Sequence, residues 1–259
     1  MAPLNPSIFD AHLHPRGLND QDLESMRFFG VTSALAVSFA SPLPATSAEL
    51  LSDFDDIVRT QLPRLERAGI HGYAALGVDP RCAPRRGLSE VLAALPHYFQ
   101  GGKVVAIGEI GLQRGGAAEE EVFIEQLNLA RRLMVRVLVH TPGPEKERLT
   151  RRILSILRDC GIAREKILVD HTNAKTVRLV LECGHYAGLT LHPDELRSEE
   201  AVKLVRRLGS ERLILNTNSG NGAGDILAIA RAVNLMRKAQ LPVKVIERVS
   251  MKNAAEFIA

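Results

Sequence analysis

A chain of 259 residues that is 46% apolar and 24% charged can bury a sizeable core, as one large domain or two small ones. Its formal net charge of +3 and lack of any long basic run give no electrostatic argument for nucleic acid, and the Arg clusters at 131–136 and 151–153 read as solvated helix faces. No stretch is long and apolar enough to span a membrane, the N-terminus has no secretory pattern, and Cys82, Cys160 and Cys183 show no paired spacing, so a reducing compartment, the cytoplasm, is expected.

Taken in chain order, the first predicted strand is "SIFDAHLH" (7–14), followed by "VTSALAVSF" (31–39) and a loop, "SPLPATSAE" (41–49), that leads into a helix. "IHGYAALGVDP" (70–80) and "KVVAIGEIGL" (103–112) are the third and fourth strands. A helix over 119–134 precedes strand five (135–142), and a second over 145–161 precedes strand six, "KILVDHTN" (166–173). "YAGLTLHP" (186–193) and "RLILNTNS" (212–219) complete the set, with a last helix over 224–240. Near-continuously apolar strands alternating with amphipathic helices predict a parallel sheet covered by helices. Eight such units in one chain match the size of a single-domain (β/α)8 barrel, although periodicity alone leaves a doubly wound open sheet as an alternative. No linker or composition break divides residues 1–259.

The polar residues are concentrated at the C-terminal ends of these strands. Strand one carries His12 and His14, strand four Glu109, strand five His140, strand six His171, strand seven His192 and strand eight Asn218. In a barrel those ends converge on one face. A single histidine at a strand end is an ordinary hydrogen-bonded core residue, but this many metal-competent groups at corresponding positions point to a common site. His12 and His14 are two apart and so face the same side of a strand. Imidazole and carboxylate together suit Zn, Mn and similar divalent ions, and the glycines flanking Glu109 in "GEIG" are expected to let a metal approach the backbone. One or two divalent ions, with zinc favoured by the ligand types and Mn or Mg the alternatives, would activate water for hydrolysis.

The motifs "FDAHLH" (9–14), "AIGEIGL" (106–112), "VLVHTP" (137–142), "VDHTN" (169–173), "LNTNS" (215–219) and the closing "NAAEF" (253–257) resemble the TatD-related branch of the amidohydrolase superfamily, along the whole chain. The resemblance implies a (β/α)8 barrel. It also implies a one- or two-metal site, with His12, His14 and Glu109 to hold one ion and Glu109, His140 and His171 the other, and hydrolysis of phosphodiester, phosphoester or related ester and amide bonds. The family carries Asp at the end of strand eight, where this chain reads Thr217-Asn218. An amide oxygen can coordinate a metal, but it brings no charge and takes no proton from water. The expectation is an inactivating Asp-to-Asn change at 218. The alternative is a catalytically impaired or non-enzymatic barrel that binds a small anionic metabolite.

For substrate binding, the candidates are His192, Arg16 and Arg114, together with Ser219 and Gly220 in a glycine-rich loop placed where barrels hold phosphate. The expected partner is a small anionic substrate or a nucleic-acid end, and the scarcity of aromatics, with no Trp and three Tyr, argues for the former. Nothing bears on oligomeric state. Asp225 reads as a helix cap, His71, His97 and His185 as structural, and Asp170 as pointing away from His171 into a supporting hydrogen bond.

Overall fold

The computed structural model describes residues 7–38, 44, 46–82 and 87–259. Its strands are β1 (Ile8–Leu13), β2 (Val31–Val37), β3 (His71–Leu76), β4 (Val104–Gly111), β5 (Arg136–His140), β6 (Ile167–Val169), β7 (Tyr186–Thr190) and β8 (Leu213–Asn216). They lie in sequential order, each parallel to the next. The sheet is drawn closed between β8 and β1. There the Asn218 N–H donates to the His12 carbonyl at 3.0 Å, and the His14 N–H to the Ser219 carbonyl at 2.8 Å. Helices between the strands, among them Ala117–Leu133, Lys146–Asp159 and Ser198–Leu208, complete a (β/α)8 barrel and remove the open-sheet alternative.

Alternation along the strands produces two apolar layers. Val137 and Val139 of β5, Ile167 and Val169 of β6, and Leu213 and Leu215 of β8 join the layer under the helices. Leu138, Leu168 and Ile214, one residue out of phase, belong to a second cluster with Phe9, Leu35, Val37 and Ala75. The C-terminal helix Asn253–Ile258 adds Ala254 and Phe257 to that cluster, and the Phe257 ring meets Tyr186 with centroids 5.7 Å apart. Asn253 Nδ2 ties this helix to β8 by donating to the Ser210 and Leu213 carbonyls, each at 2.7 Å.

The strands are shorter than their apolar patterns suggest, and the difference lies at the chemical end. Strand six, expected over 166–173, leaves the ladder after Val169, because His171 adopts a left-handed conformation (φ 56°). The last long helix begins at Ala228 rather than 224. Ahead of it Asp225 Oδ1 accepts the Leu227 N–H at 3.0 Å, and Asp225 also pairs with Arg231. Thr46 and Glu49 form a reciprocal cap on the helix Ser47–Asp56. Residues 1–6, Phe39 and residues 41–43 and 45 of the predicted loop 41–49 lie outside the described residues.

The closing seam depends on one glycine. Gly220 has φ +87°, and a Cβ built there would lie 1.9 Å from the His14 carbonyl oxygen. Gly220→Ala combines left-handed strain with a backbone clash, so it is expected to cost about 3 kcal/mol of unfolding free energy. Urea denaturation checks this: a midpoint equal to that of the wild type would mean that the seam adjusts without penalty.

Candidate metal centre

The site is built at the strand ends around Glu109, which is buried and carried by β4. Glu109 Oε1 lies 2.7 Å from His140 Nδ1 and 2.8 Å from His171 Nε2. Its Oε2 is 3.8 Å from His12 Nε2 and is buried with no hydrogen-bond partner. His12 Nε2 in turn lies 3.1 Å from His14 Nε2, and Asn218 Oδ1 lies 2.9 Å from the same His14 nitrogen. The structure therefore brings His12, His14, Glu109, His140, His171 and Asn218 into one continuous chain of contacts. The tightest triad within it is His12, Glu109 and His171, which offer one donor atom each within 4.8 Å of one another. That triad runs across the two-position division that the resemblance implies.

The direction of each hydrogen bond shows what these atoms present to one another. His12 Nδ1–H donates to Asp170 Oδ2 at 2.7 Å, leaving Nε2 as a lone pair in the neutral ring. His14 Nδ1 faces the Val37 carbonyl at 3.3 Å, with the same consequence. The Thr190 hydroxyl donates to Asp170 Oδ1 at 3.2 Å, so its oxygen accepts from His171 Nδ1 at 3.0 Å, and His171 Nε2 is left facing a carboxylate oxygen. At His12, His14 and His171 an acceptor thus faces an acceptor, a repulsive arrangement that a cation between them removes. Burial pushes the His14 imidazole down to about 3. An orphaned carboxylate oxygen beside three imidazole lone pairs fits a divalent ion.

Asp170 orients this set. It is fully buried and held well below the ordinary carboxylate range: burial would raise it, and His171 and the bond from His12 lower it. Its Oδ1 accepts the His171 N–H and Asn216 Nδ2, each at 2.8 Å, so one carboxylate links β1, β6, β7 and β8. Gly188 makes the room, since a Cβ there would meet Asp170 Oδ1 at 1.9 Å. Asp170 makes the supporting hydrogen bonds expected of it, and only the direction of its side chain differs from the expectation. The left-handed turn at His171 lets both side chains face the barrel mouth, Asp170 behind His12 and His171 beside Glu109. The glycines around Glu109 also serve a different purpose from the one expected. A Cβ at Gly108 would lie 2.5 Å from Leu138 Cβ and one at Gly111 2.5 Å from the His140 carbonyl, so they allow close approach of β5.

The predicted substrate residues are dispersed. Arg16 turns to acids of the neighbouring helix, with its Nε and Nη2 donating to Asp56 Oδ2 and Nη1 2.9 Å from Asp53 Oδ1. The Arg114 side chain is exposed, on a loop whose N–H groups at 113, 114 and 115 all donate to Glu119. His192 is buried. Its Nδ1 accepts the Asp194 N–H, and its Nε2 donates to the Asn221 carbonyl at 3.2 Å, which holds the glycine-rich loop. Ser219 and Gly220 form the β8–β1 seam, and Ser219 donates its N–H to Thr217 Oγ1. Sequence reasoning missed Asp79 and Arg81 beyond β3, Gln113 at 2.9 Å from His140 Nε2, and Lys146, which donates to the His171 carbonyl and pairs with Glu195 at 2.8 Å. The same strand-end rule, applied to "GVDPRC", would have found the first two.

The model of the TatD related DNase family matches residues 9–249. A metal-dependent hydrolase of Methanocaldococcus jannaschii is 30% identical over 96% of this chain and 99% of its own length. Among solved structures, a TatD-like protein from Archaeoglobus fulgidus superposes with a TM-score of 0.83 at 29% identity, covering 96% of this chain and 99% of that one. At 16% identity the phosphotriesterase homology protein of Escherichia coli shares the fold, with a TM-score of 0.75 over 98% and 99% of the two chains.

Two outcomes follow from this geometry. Asp170→Asn places an amide N–H against His12 Nδ1 and withdraws the acceptor that fixes the tautomer. Divalent-cation affinity, measured by competition with a chromophoric chelator, should fall about 10- to 100-fold with the circular dichroism spectrum retained; equal affinity would remove Asp170 from this role. Burial also pushes the Asp53 carboxyl up to about 6 despite Arg16. A folded-state value above the unfolded one means that the Asp53 contribution to stability is present below about pH 4 and is lost as pH rises toward 6. Urea midpoints of Asp53→Asn should show that decline flattened, and a slope unchanged from wild type would contradict it.

Proposed function

The chain belongs to the TatD-related DNase family and is a metal-dependent hydrolase, and we propose that it acts on phosphoester bonds at the centre described above. The observation that carries this reading is the set of facing acceptors, with the buried, unpartnered Glu109 Oε2 among them. His12, His14, Glu109, His140, His171 and Asn218 would hold one or two divalent ions, with zinc the best match to three or four imidazoles and a carboxylate. Such an ion lowers the pKa of a bound water from near 16 to about 7 and polarises a phosphoryl oxygen.

The remaining work falls to the chain's own groups. Asp170 fixes His12, and through Thr190 also His171, so that no proton occupies the coordinating nitrogens. Lys146 anchors the His171 carbonyl and with it the left-handed turn. Asn218, also left-handed at φ 52°, occupies a conformation that Asn and Asp both tolerate, so either residue fits the position. As an amide it can hold but cannot accept the proton of the attacking water, and turnover is slowed accordingly. The three free cysteines suit a reducing compartment such as the cytoplasm. Among the described residues no helix is long and apolar enough to cross a membrane.

Restoring the carboxylate is the test. Asn218→Asp should raise kcat on an activated phosphodiester such as bis(p-nitrophenyl) phosphate by roughly 10²- to 10⁴-fold, the contribution of a positioned general base. No gain on phosphodiester, phosphomonoester or carboxylic ester, with metal bound, would favour the alternative of a barrel that binds a small anion without turning it over.

A further inference from the structure

The end of β3 supplies a cation that the metal-ligand set does not use. Asp79 is buried just past the strand. Its carboxylate holds Arg81 three ways: Oδ1 accepts the Arg81 backbone N–H at 2.7 Å and Nε at 2.9 Å, and Oδ2 accepts Nη2 at 2.5 Å. This fixes the plane of the guanidinium and spares it most of the entropy lost when an arginine is ordered. The same Nη2 lies 3.5 Å from Glu109 Oε2, the buried oxygen with no hydrogen-bond partner. Arg81 is nevertheless 28% exposed, so it stands at the inner wall of the barrel mouth and still reaches solvent. Arg16 and Arg114, the arginines that sequence spacing favours, are by contrast committed to Asp53 and Asp56 or exposed on a loop.

We infer that Arg81 is a specificity-determining residue that takes an anionic oxygen of the substrate beside Glu109, and that it selects a small phosphomonoester over a nucleic-acid strand. A phosphoryl group bound next to Glu109 must place a second oxygen within a few ångströms of the first, and the pre-oriented guanidinium is there to receive it. A strand of nucleic acid also needs surfaces on which bases stack. All three tyrosines lie elsewhere: Tyr73 stacks on Phe9, Tyr98 donates to Asp55 on the flank, and Tyr186 packs on Phe257. The inference rests on the hydrolase reading for the place of the substrate, but its binding step can be measured without turnover.

The experiment uses the full chain reconstituted with zinc, titrated with inorganic phosphate and with a 5′-phosphorylated oligonucleotide, for wild type, Arg81→Ala, Arg81→Lys and Asp79→Asn. Phosphate affinity should fall roughly 10- to 100-fold in Arg81→Ala, the scale of a charge-assisted contact. Arg81→Lys and Asp79→Asn should fall between, with metals per chain unchanged in every variant. The oligonucleotide should bind wild type no better than phosphate does. In the Asn218→Asp background, Arg81→Ala should raise KM for p-nitrophenyl phosphate more than it lowers kcat. Equal phosphate affinity in wild type and Arg81→Ala overturns the proposal, as does loss of metal in Arg81→Ala, which would assign the residue to holding Glu109. Tighter oligonucleotide binding that survives Arg81→Ala overturns the selection of a small substrate. Failure of the Asn218→Asp variant to hydrolyse any ester counts against the hydrolase reading instead, while the phosphate titration still reports on Arg81.

Discussion

Two imidazole nitrogens 3.1 Å apart, with an amide oxygen 2.9 Å from one of them, all present electron pairs to the same small volume. Most of what the barrel mouth does follows from that constraint. Each coordinating nitrogen points inward because the other nitrogen of its ring is engaged by an acceptor: Asp170 for His12, the Val37 carbonyl for His14, the Thr190 oxygen for His171. Those acceptors come from β6, β2 and β7, so the proton positions in the site are set by the sheet that surrounds it. The arrangement costs free energy without a cation and is stabilised when one is present, which is how a preformed site couples binding to folding.

Charge is distributed unusually around this volume. Around it, Glu109 is a buried carboxylate, Asn218 is neutral, Asp170 stands behind the His12 ring, and the partly exposed Arg81 is paired with Asp79. The negative field that a carboxylate at 218 would place beside His14 is therefore carried in part by Asp170, one ring further back. A cation can still be compensated there. An amide at 218 offers no proton acceptor where a carboxylate would, so under the proposed reading holding the ion and taking a proton are separate tasks.

Much of this was legible in the primary structure, and the parts that were not share a cause. The alternation of apolar runs and amphipathic helices identifies the barrel, because burial on both faces of a parallel sheet leaves a clear pattern. His12, Glu109, His140 and His171 could be named because strand ends converge by topology alone. Asp170 was misdirected because a strict two-residue alternation was carried past Val169, where the left-handed His171 interrupts it. The glycines beside Glu109 were credited to metal access, whereas contact with β5, invisible without a register, requires them. Arg16 follows strand one directly, yet its partners Asp53 and Asp56 lie on a helix about forty residues on. Arg81 carries no such mark in the sequence, because an arginine is not a metal ligand and its place at the mouth is set by its contact with Asp79.

The seam between β8 and β1 adds a consequence of its own. The two backbone hydrogen bonds that close the barrel run through His12, His14, Asn218 and Ser219, three of which also face the cation site. Local opening of that seam separates the strand carrying two imidazoles from the one carrying the amide. Opening of the seam would then also open the proposed ion site, and amide exchange at His14 and Asn218 would slow when an ion is bound. A barrel whose closure completes its ion site would protect the ion kinetically, for as long as the last pair of strands stays zipped.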